Sequence, residues 1–214
     1  MKTGLIALIG AFILATQANA DIFGGVEFPS GASSFADAVV SYNPVIKSGE
    51  PTAPFRDSSQ ALGVPDFTDA LPGDHFVSLG DGGSITLRFT DNSLTGSGTP
   101  ADDLWIFEIG PDVEDTFVEI SKDGTTWSPV GKVFGAISGV DIDAFGFGTG
   151  DFFSYVRLTD DGAEGGQTGA TVGADIDSVG AIASAPPVAS PDAGSTGVLM
   201  MIGSGLLALC HRRR

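Results

Sequence analysis

Two short segments of this sequence each place a pair of aspartates two positions apart. Asp141 and Asp143 lie in VDIDAFG, and Asp175 and Asp177 lie in ADIDSVG. In a β-strand, residues two apart point to the same face, so each pair would present its carboxylates together. Ca²⁺ collects about six to eight oxygen ligands, mainly from carboxylates, carbonyls and water. Convergence of the two pairs would therefore form a calcium site.

Two further acids could join such a site. Asp102 and Asp103 lie just before the apolar segment LWIFE and would add oxygens from a loop. The sequence contains no contiguous EF-hand loop, so separate segments would have to assemble the ligands. The alternative is that these acids are solvated strand ends or turn residues, because a short carboxylate readily accepts a hydrogen bond from nearby backbone.

Trp105 and Trp127 are the candidates for ligand stacking. An exposed amphipathic ring can lie against the apolar face of a sugar. Large aromatic side chains are more often buried in the core, and a core position is the favoured interpretation of each tryptophan.

Few residues support catalysis. His75 is the only histidine between residues 21 and 189, and no G-x-S-x-G nucleophile motif occurs. The glycine-rich segments lack the ending of a phosphate-binding loop. We therefore assign no catalytic residue and expect a non-enzymatic protein. The alternative is a secreted hydrolase with an Asp/Glu pair, because the separation of such a pair is a spatial property.

The segment that holds these residues has the pattern of an all-β domain. Short apolar runs alternate with turn signals, as in SITLRF, where Ile85, Leu87 and Phe89 share one face. The pattern predicts a single jelly-roll-like β-sandwich over residues 21–184, with 21–74 less regular and assigned to arm and loop. The predicted strands span residues 76–79, 84–90, 104–109, 117–121, 127–133, 153–159 and 176–183.

The charge of this segment restricts its partners. Residues 21–189 carry 26 acidic and six basic side chains. Such a surface repels nucleic acid and anionic lipid, and it attracts cations. The one cysteine, Cys210, lies outside the segment, which excludes a disulfide, thiol catalysis and cysteine-ligated zinc within it. Solubility outside the cell is the simplest alternative reason for the charge.

The N-terminus has the order of a secretory signal. Lys2 is followed by an apolar stretch over residues 5–15 and by the small-residue triplet ANA. This order predicts a signal peptide at residues 1–20 that is cleaved before Asp21. A retained anchor is disfavoured, because a membrane span needs about 20 apolar residues.

The C-terminus predicts a hydrophobic tail. A Pro-rich linker at residues 185–189 leads to SPDAGST, and an apolar run then ends in three arginines. The uncharged segment 193–210 is just long enough, as a helix, to cross a hydrocarbon core of about 30 Å. The arginines would stay in the cytoplasm, so the domain would lie outside the cell.

The motif at the start of this tail carries a resemblance. Pro191, Asp192 and Gly194 match the signature Val-Pro-Asp-Ser-Gly, so residues 190–214 resemble a C-terminal sorting signal of the PEP-CTERM class of Gram-negative bacteria. The resemblance implies that a membrane-embedded sorting enzyme recognises the motif and passes the domain to the cell surface. A plain membrane anchor is the alternative, since span length and charge alone would produce it.

A second resemblance concerns the domain itself. Ser121, Asp123, Gly124 and Trp127 fit the Ser-x-Asp-Gly-x-x-Trp stretch of discoidin-like and galactose-binding-like jelly rolls, and the Asp-Gly turn predicts a hairpin over residues 117–131. The segments GGSITLRF, DLWIFEIG and YVRLTD also resemble a domain of secreted bacterial proteins. Together the resemblances imply a surface or matrix protein whose jelly roll binds exopolysaccharide or another extracellular partner.

Overall fold

The computed structural model describes residues 20–68, 75–109, 114–164 and 168–187. The predicted sorting tail lies outside these ranges, and so does the predicted signal peptide apart from its last residue. Within the described ranges, no helix has the length and apolar character that a bilayer span requires.

The described residues form thirteen β-strands and four short 3₁₀ helices. The strands are β1 (Asp21–Phe23), β2 (Val26–Phe28), β3 (Ala38–Asn43), β4 (Val77–Ser78), β5 (Ser84–Arg88), β6 (Ser93–Leu94), β7 (Leu104–Glu108), β8 (Thr116–Ser121), β9 (Ser128–Val133), β10 (Ile137–Val140), β11 (Tyr155–Asp160), β12 (Asp175–Ala181) and β13 (Ser184–Ala185). The 3₁₀ helices span Gly31–Ser34, Ala53–Phe55, Ser58–Ala61 and Asp143–Phe145.

Nine of these strands form two antiparallel sheets packed against each other. The five-stranded sheet has the order β3-β5-β11-β8-β9, and the four-stranded sheet has the order β10-β7-β12-β4. Side chains from both sheets share one apolar core, including Ile85, Leu87, Val118, Ile120, Val156 and Leu158 from the first sheet and Leu104, Ile106, Val140, Ile176 and Val179 from the second. The prediction of an all-β sandwich is confirmed.

Alternation along the strands produces this arrangement. In β11, Val156 and Leu158 are buried, while Tyr155 and Arg157 are partly exposed. Successive side chains of a strand point to opposite faces, so the apolar ones enter the core together. Burial of each such side chain contributes about 1.5–3 kcal/mol. Tyr155 and Arg157 therefore lie on the outer face of the five-stranded sheet.

The assignment of residues 21–74 to arm and loop is wrong for the paired strands β1 and β2, and it is wrong for Ala38–Asn43. This segment forms β3, an edge strand that pairs with β5. A register shift between Val39 and Ser41 interrupts the pairing, so polar and apolar residues do not alternate regularly along the strand. A search for period-two alternation therefore misses it.

A second apolar cluster covers the outer face of the four-stranded sheet. Phe28, Phe35 and Phe107 are buried there, and the ring centroids of Phe28 and Phe35 are 4.6 Å apart. Gly180 of β12 lies beneath them, and a Cβ atom at this position would be 2.6 Å from Phe28 and 2.8 Å from Phe35. The N-terminal segment therefore closes this face of the sandwich.

Candidate functional site

Three of the predicted calcium ligands come together. Carboxylate oxygens of Asp103, Asp141 and Asp143 all lie within 4.8 Å of one another. Asp103 directly precedes β7, and the other two follow β10. Val140 of β10 pairs with Leu104 of β7, so the antiparallel register brings the two adjoining loops to the same end of the sheet. The spacing of these oxygens is suitable for a metal ion.

Asp103 is the buried member of this group. It has no solvent exposure and accepts hydrogen bonds from the N–H of Ser97 at 2.8 Å and of Ile142 at 3.0 Å. Burial raises the pKa of its carboxyl, and these hydrogen bonds oppose the rise. Asp103 therefore joins two loops whether or not an ion is bound.

The other members are closer to solvent. Asp143 accepts a hydrogen bond from the N–H of Gly98 at 2.9 Å, and Asp141 accepts one from the N–H of Ala144 at 3.2 Å. These contacts match the turn-forming alternative, in which a short carboxylate organises its own loop. Asp102 is not part of the group, and its carboxylate lies over the backbone of residue 139.

Asp175 and Asp177 lie at the opposite end of the four-stranded sheet. β12 runs antiparallel to β7, so its first residues lie beside Glu108, at the end of β7, and its last residue pairs with Leu104. Asp103 adjoins Leu104 and is therefore separated from these acids by the length of the strand. The two aspartate pairs do not converge, so the expectation of one site with six acids is wrong. Only Asp103, Asp141 and Asp143 come together among the described residues.

Asp175 is buried among other acids. It is 3% exposed and pairs across the sheet with Ser78 of β4. Burial raises its pKa to about 8, a hydrogen bond with Ser78 opposes the rise, and Glu114 adds to it. Burial also raises the pKa of Glu108 strongly. The carboxylates at this end of the sheet are not among the described groups whose oxygens lie close enough together to hold a metal ion.

Asp177 lies in the wall of a cavity on the outer face of the four-stranded sheet, which we call the Asp177 cavity. A β-bulge between Ile176 and Ser178 makes Asp177 the extra residue of β12, unpaired in the ladder with β7. The cavity has a volume of about 370 Å³. It is lined by Gly24, Pro65, Phe67, Phe107, Glu108, Ile109, Ala136, Ile137 and Asp177.

The carboxyl of Asp177 is almost fully buried, with 3% exposure of the residue. It accepts a hydrogen bond from the N–H of Asp66 at 3.3 Å. Burial raises its pKa to about 7, this hydrogen bond opposes the rise, and the Asp66 charge adds to it. His75 Nδ1 lies 3.0 Å from the Asp66 carboxylate. The cavity thus combines apolar walls with a carboxyl that changes charge near neutral pH.

The two acids that line this cavity do not form a hydrolytic pair. Glu108 continues the inward series of Leu104 and Ile106, and its carboxylate accepts a hydrogen bond from the N–H of Glu114 at 3.0 Å. Asp177 is held on the outer face by the Asp66 amide. The hydrolase alternative gains no support.

The two tryptophans lie on opposite outer faces of the sandwich. Trp105 is half-buried and packs against the second apolar cluster on the four-stranded sheet. Trp127 lies under the Arg157 guanidinium, whose carbon is 4.3 Å from the ring centroid, and Arg157 also donates to Glu119 at 2.7 Å. The structure therefore does not bring these rings together.

The Ser-x-Asp-Gly-x-x-Trp stretch forms the predicted hairpin loop between β8 and β9. The carboxylate of Asp123 accepts hydrogen bonds from the N–H groups of Thr125 and Thr126, both at 2.7 Å, and these bonds lower its pKa far below the usual range. Gly124 has φ +73°, and a Cβ atom there would be 3.4 Å from the ring of Tyr155. The motif is a structural turn packed on β11.

Sequence reasoning did not single out the aromatic residues of the Asp177 cavity. Phe107 belongs to β7, where it alternates with the core residues Leu104 and Ile106, and this alternation is the only local sign that its ring faces outward. Phe67 lies in a loop that reaches the cavity through tertiary packing, and its ring meets that of Phe76 edge-on at 5.7 Å. No sequence pattern marks that loop as part of a site.

No protein-family model matches the chain, and no curated protein matches it. Two solved structures are similar to it. CpGH89CBM32-6 of Clostridium perfringens is 14% identical, with a TM-score of 0.35 over 69% of this chain and 92% of that one. The C-terminal domain of a chitobiase from Bacteroides fragilis is 15% identical, with a TM-score of 0.40 over 75% of this chain and 98% of that one. At these values neither likeness bears on the site or the ligand.

Proposed function

We propose that this chain is an exported, non-enzymatic surface protein whose β-sandwich binds glycan, with the Asp177 cavity as the binding site. A glycan ring has apolar C–H faces and a rim of hydroxyl groups. Phe67, which is partly exposed, supplies aromatic surface for the first, and the carboxyl of Asp177 supplies hydrogen-bonding oxygens for the second.

The combination of these groups in one open cavity is the observation that carries the proposal. Sites for small ligands are mostly apolar, have volumes of about 300–1,000 Å³ and contain a few placed polar groups. The Asp177 cavity, at about 370 Å³, has this size and lining. It could accommodate one sugar residue of a longer chain, with the remainder in solvent.

A glycan array and a pull-down with the host's exopolysaccharide test the proposal on residues 21–189. Phe67→Ala removes one wall of the cavity and should weaken binding about tenfold, which corresponds to about 1.4 kcal/mol. Phe152→Ala is the matched control, because Phe152 is 39% exposed and lies outside the lining. It should leave binding unchanged.

Two outcomes would contradict the proposal. Failure to bind any glycan would leave a structural coat protein. Loss of binding in Trp127→Leu, with full binding in Phe67→Ala, would move the site to the outer face of the five-stranded sheet, where Arg157 covers the Trp127 ring.

We infer a second property of the domain, calcium binding by Asp103, Asp141 and Asp143. These carboxylates lie close together in a strongly acidic molecule, where a divalent ion would relieve their mutual repulsion. A ligand at about a hundred times its dissociation constant stabilises the folded state by about 2.7 kcal/mol. Calcium should therefore raise the melting temperature.

Melting in CaCl₂ and in NaCl of matched ionic strength separates binding from screening. The double variant Asp141→Asn, Asp143→Asn should lose the calcium-specific shift. Asp175→Asn, at the other end of the sheet, should keep it. Equal shifts in the two salts would exclude the site.

Export and sorting are also part of the proposal. They rest on the signal-like N-terminus and on Pro191, Asp192 and Gly194, which lie outside the described residues. Mass spectrometry of surface material should find a chain that starts at Asp21 and ends between residues 191 and 194. An intact C-terminus on the outer surface would instead indicate a simple anchor.

A further inference from the structure

The described lining of the Asp177 cavity contains acidic but no lysine or arginine side chains. Among the described residues that line it, Glu108 and Asp177 are the only ionisable ones. Beyond the lining, Asp66 lies next to Asp177, and His75 is held by Asp66 at 3.0 Å. Among the described residues, none of the ion pairs involves Asp177. Asp177 therefore has no direct ion-pair partner among the described residues, although the charge of His75 acts to lower its pKa.

The fold holds Asp177 in this position. The bulge in β12 removes it from the ladder, and the N–H of Asp66 fixes one carboxylate oxygen at 3.3 Å. Burial of an ionised carboxylate in apolar surroundings without a partner costs free energy. Burial therefore raises the pKa of Asp177 to about 7, so that the carboxyl is largely protonated below neutral pH. A cation in the cavity would remove the need for that proton.

The apolar walls suit the same kind of ligand. A cation within about 6 Å of an aromatic ring centroid is attracted by the electrons of the ring face. Phe67 and Phe107 belong to the lining together with Asp177. Aromatic walls beside buried carboxyls favour a ligand with a positive charge on an otherwise apolar face.

We propose that the Asp177 cavity binds a sugar that carries a free, protonated amine, as in a de-N-acetylated hexosamine of a polysaccharide. The amine pairs with the Asp177 carboxylate, and the C–H face of the sugar ring lies against the ring of Phe67. This assignment rests on the proposed glycan binding and specifies its ligand class. Uronic acids are disfavoured by repulsion from the acids, and N-acetylation removes the charge that Asp177 would pair.

Binding of the amine has a consequence for protons. Below its pKa the free protein holds a proton on Asp177, and an ammonium group favours the ionised form. Complex formation at pH 6.5 should therefore release part of a proton per site, and affinity should rise from pH 5.5 to 6.5, the range in which the sugar amine also keeps its proton. Glu108, Asp66 and His75 are the other titratable groups near the cavity, so the Asp177 variant is needed to assign the effect.

Isothermal titration calorimetry with the disaccharide of glucosamine and its N-acetylated form tests the inference. The full chain is used, in a detergent without a sugar headgroup and in 0.3 M salt, at about pH 6.5 in two buffers of different ionisation enthalpy. The free amine should bind at least about tenfold tighter than the acetylated form, with proton release. Asp177→Asn should remove this preference and the proton release, while retaining an acceptor for the Asp66 N–H.

Asp91→Asn is the matched control, because Asp91 is an exposed acid outside the cavity lining. It likewise replaces a carboxyl by its amide and should preserve the preference. Equal weakening by both variants would show diffuse attraction to an acidic protein and would overturn the inference. Equal or tighter binding of the acetylated sugar would overturn the amine but leave glycan binding intact. Binding of neither sugar, together with an empty glycan array, would overturn the proposed function itself.

Discussion

Asp103 has no solvent exposure, yet the N–H groups of Ser97 and Ile142 each donate a hydrogen bond to one of its oxygens. Other aspartates of the domain have different roles. Asp123 organises an exposed turn, and Asp177 keeps a proton in an apolar cavity. Burial and backbone donors, rather than residue type, decide the role of each aspartate.

Asp103→Ala should destabilise the domain by about 2–4 kcal/mol, because it leaves two backbone N–H groups of the loops without their acceptor. Urea unfolding in the presence of a calcium chelator measures this effect without any contribution from a bound ion. Asp91→Ala changes an exposed acid and should stay within about 0.5 kcal/mol of the parent. A similarly small effect for Asp103→Ala would contradict the assigned role.

Strand β12 is covered on both of its faces. All residues of Asp175–Ala181 are buried, because one face meets the core and the other meets the N-terminal aromatic cluster. Its bulge turns Asp177 toward the cavity. At Gly180 the absence of a side chain allows Phe28 and Phe35 to approach the sheet.

Gly180→Ala should destabilise the domain by about 1–3 kcal/mol, because the new methyl group would overlap the Phe28 and Phe35 rings at 2.6 and 2.8 Å. Thermal unfolding provides the measurement. Gly150→Ala is the matched substitution, since a Cβ atom there has no neighbour within 4 Å. A melting temperature of Gly180→Ala equal to that of Gly150→Ala would show that the Phe28 and Phe35 rings move aside without loss of stability.

The molecule as a whole divides its acids between surface and interior. Among the described residues, Lys47, Lys122, Lys132 and Arg157 form ion pairs, as in the contacts of Lys122 with Asp151 at 2.7 Å and of Arg157 with Glu119 at 2.6 Å. The excess acids therefore lack basic partners. Some form turns at the surface, where hydrogen bonds lower their pKa, and others are buried, where desolvation raises it.

Stability should fall as pH rises from 6 to 9. Asp175 and Asp177 have pKa values raised to about 8 and about 7, and that of Glu108 is also strongly raised, whereas the unfolded chain releases these protons near pH 4. The folded state thus binds more protons than the unfolded state in this range, and its stability is lost as pH passes the folded pKa values.

Melting temperatures at constant ionic strength test this pH dependence. Asp175→Asn and Asp177→Asn should each flatten the decline, because each removes one of the retained protons. Surface acids with lowered pKa values lose their stabilising effect only on acidification below about pH 4, so they do not contribute to the slope between pH 6 and 9. A constant melting temperature across this range would contradict the assignment.

The sequence by itself determined the features that depend on neighbouring residues. Alternation in SITLRF and YVRLTD predicts strands because a strand has a period of two, and the Asp-Gly turn predicts the β8–β9 hairpin because its hydrogen bonds are local. Composition likewise determines the negative charge, whatever the fold.

Only the tertiary structure decided which acids meet. Strand order and register bring Asp103 to Asp141 and Asp143, and they place Asp175 and Asp177 at the other end of the same sheet. Residues far apart in the chain become neighbours through long-range pairing, and a single bulge redirects a side chain, so neither is encoded by local spacing. The Asp177 cavity exists for the same reason, because its walls come from separate segments that meet only in the folded chain.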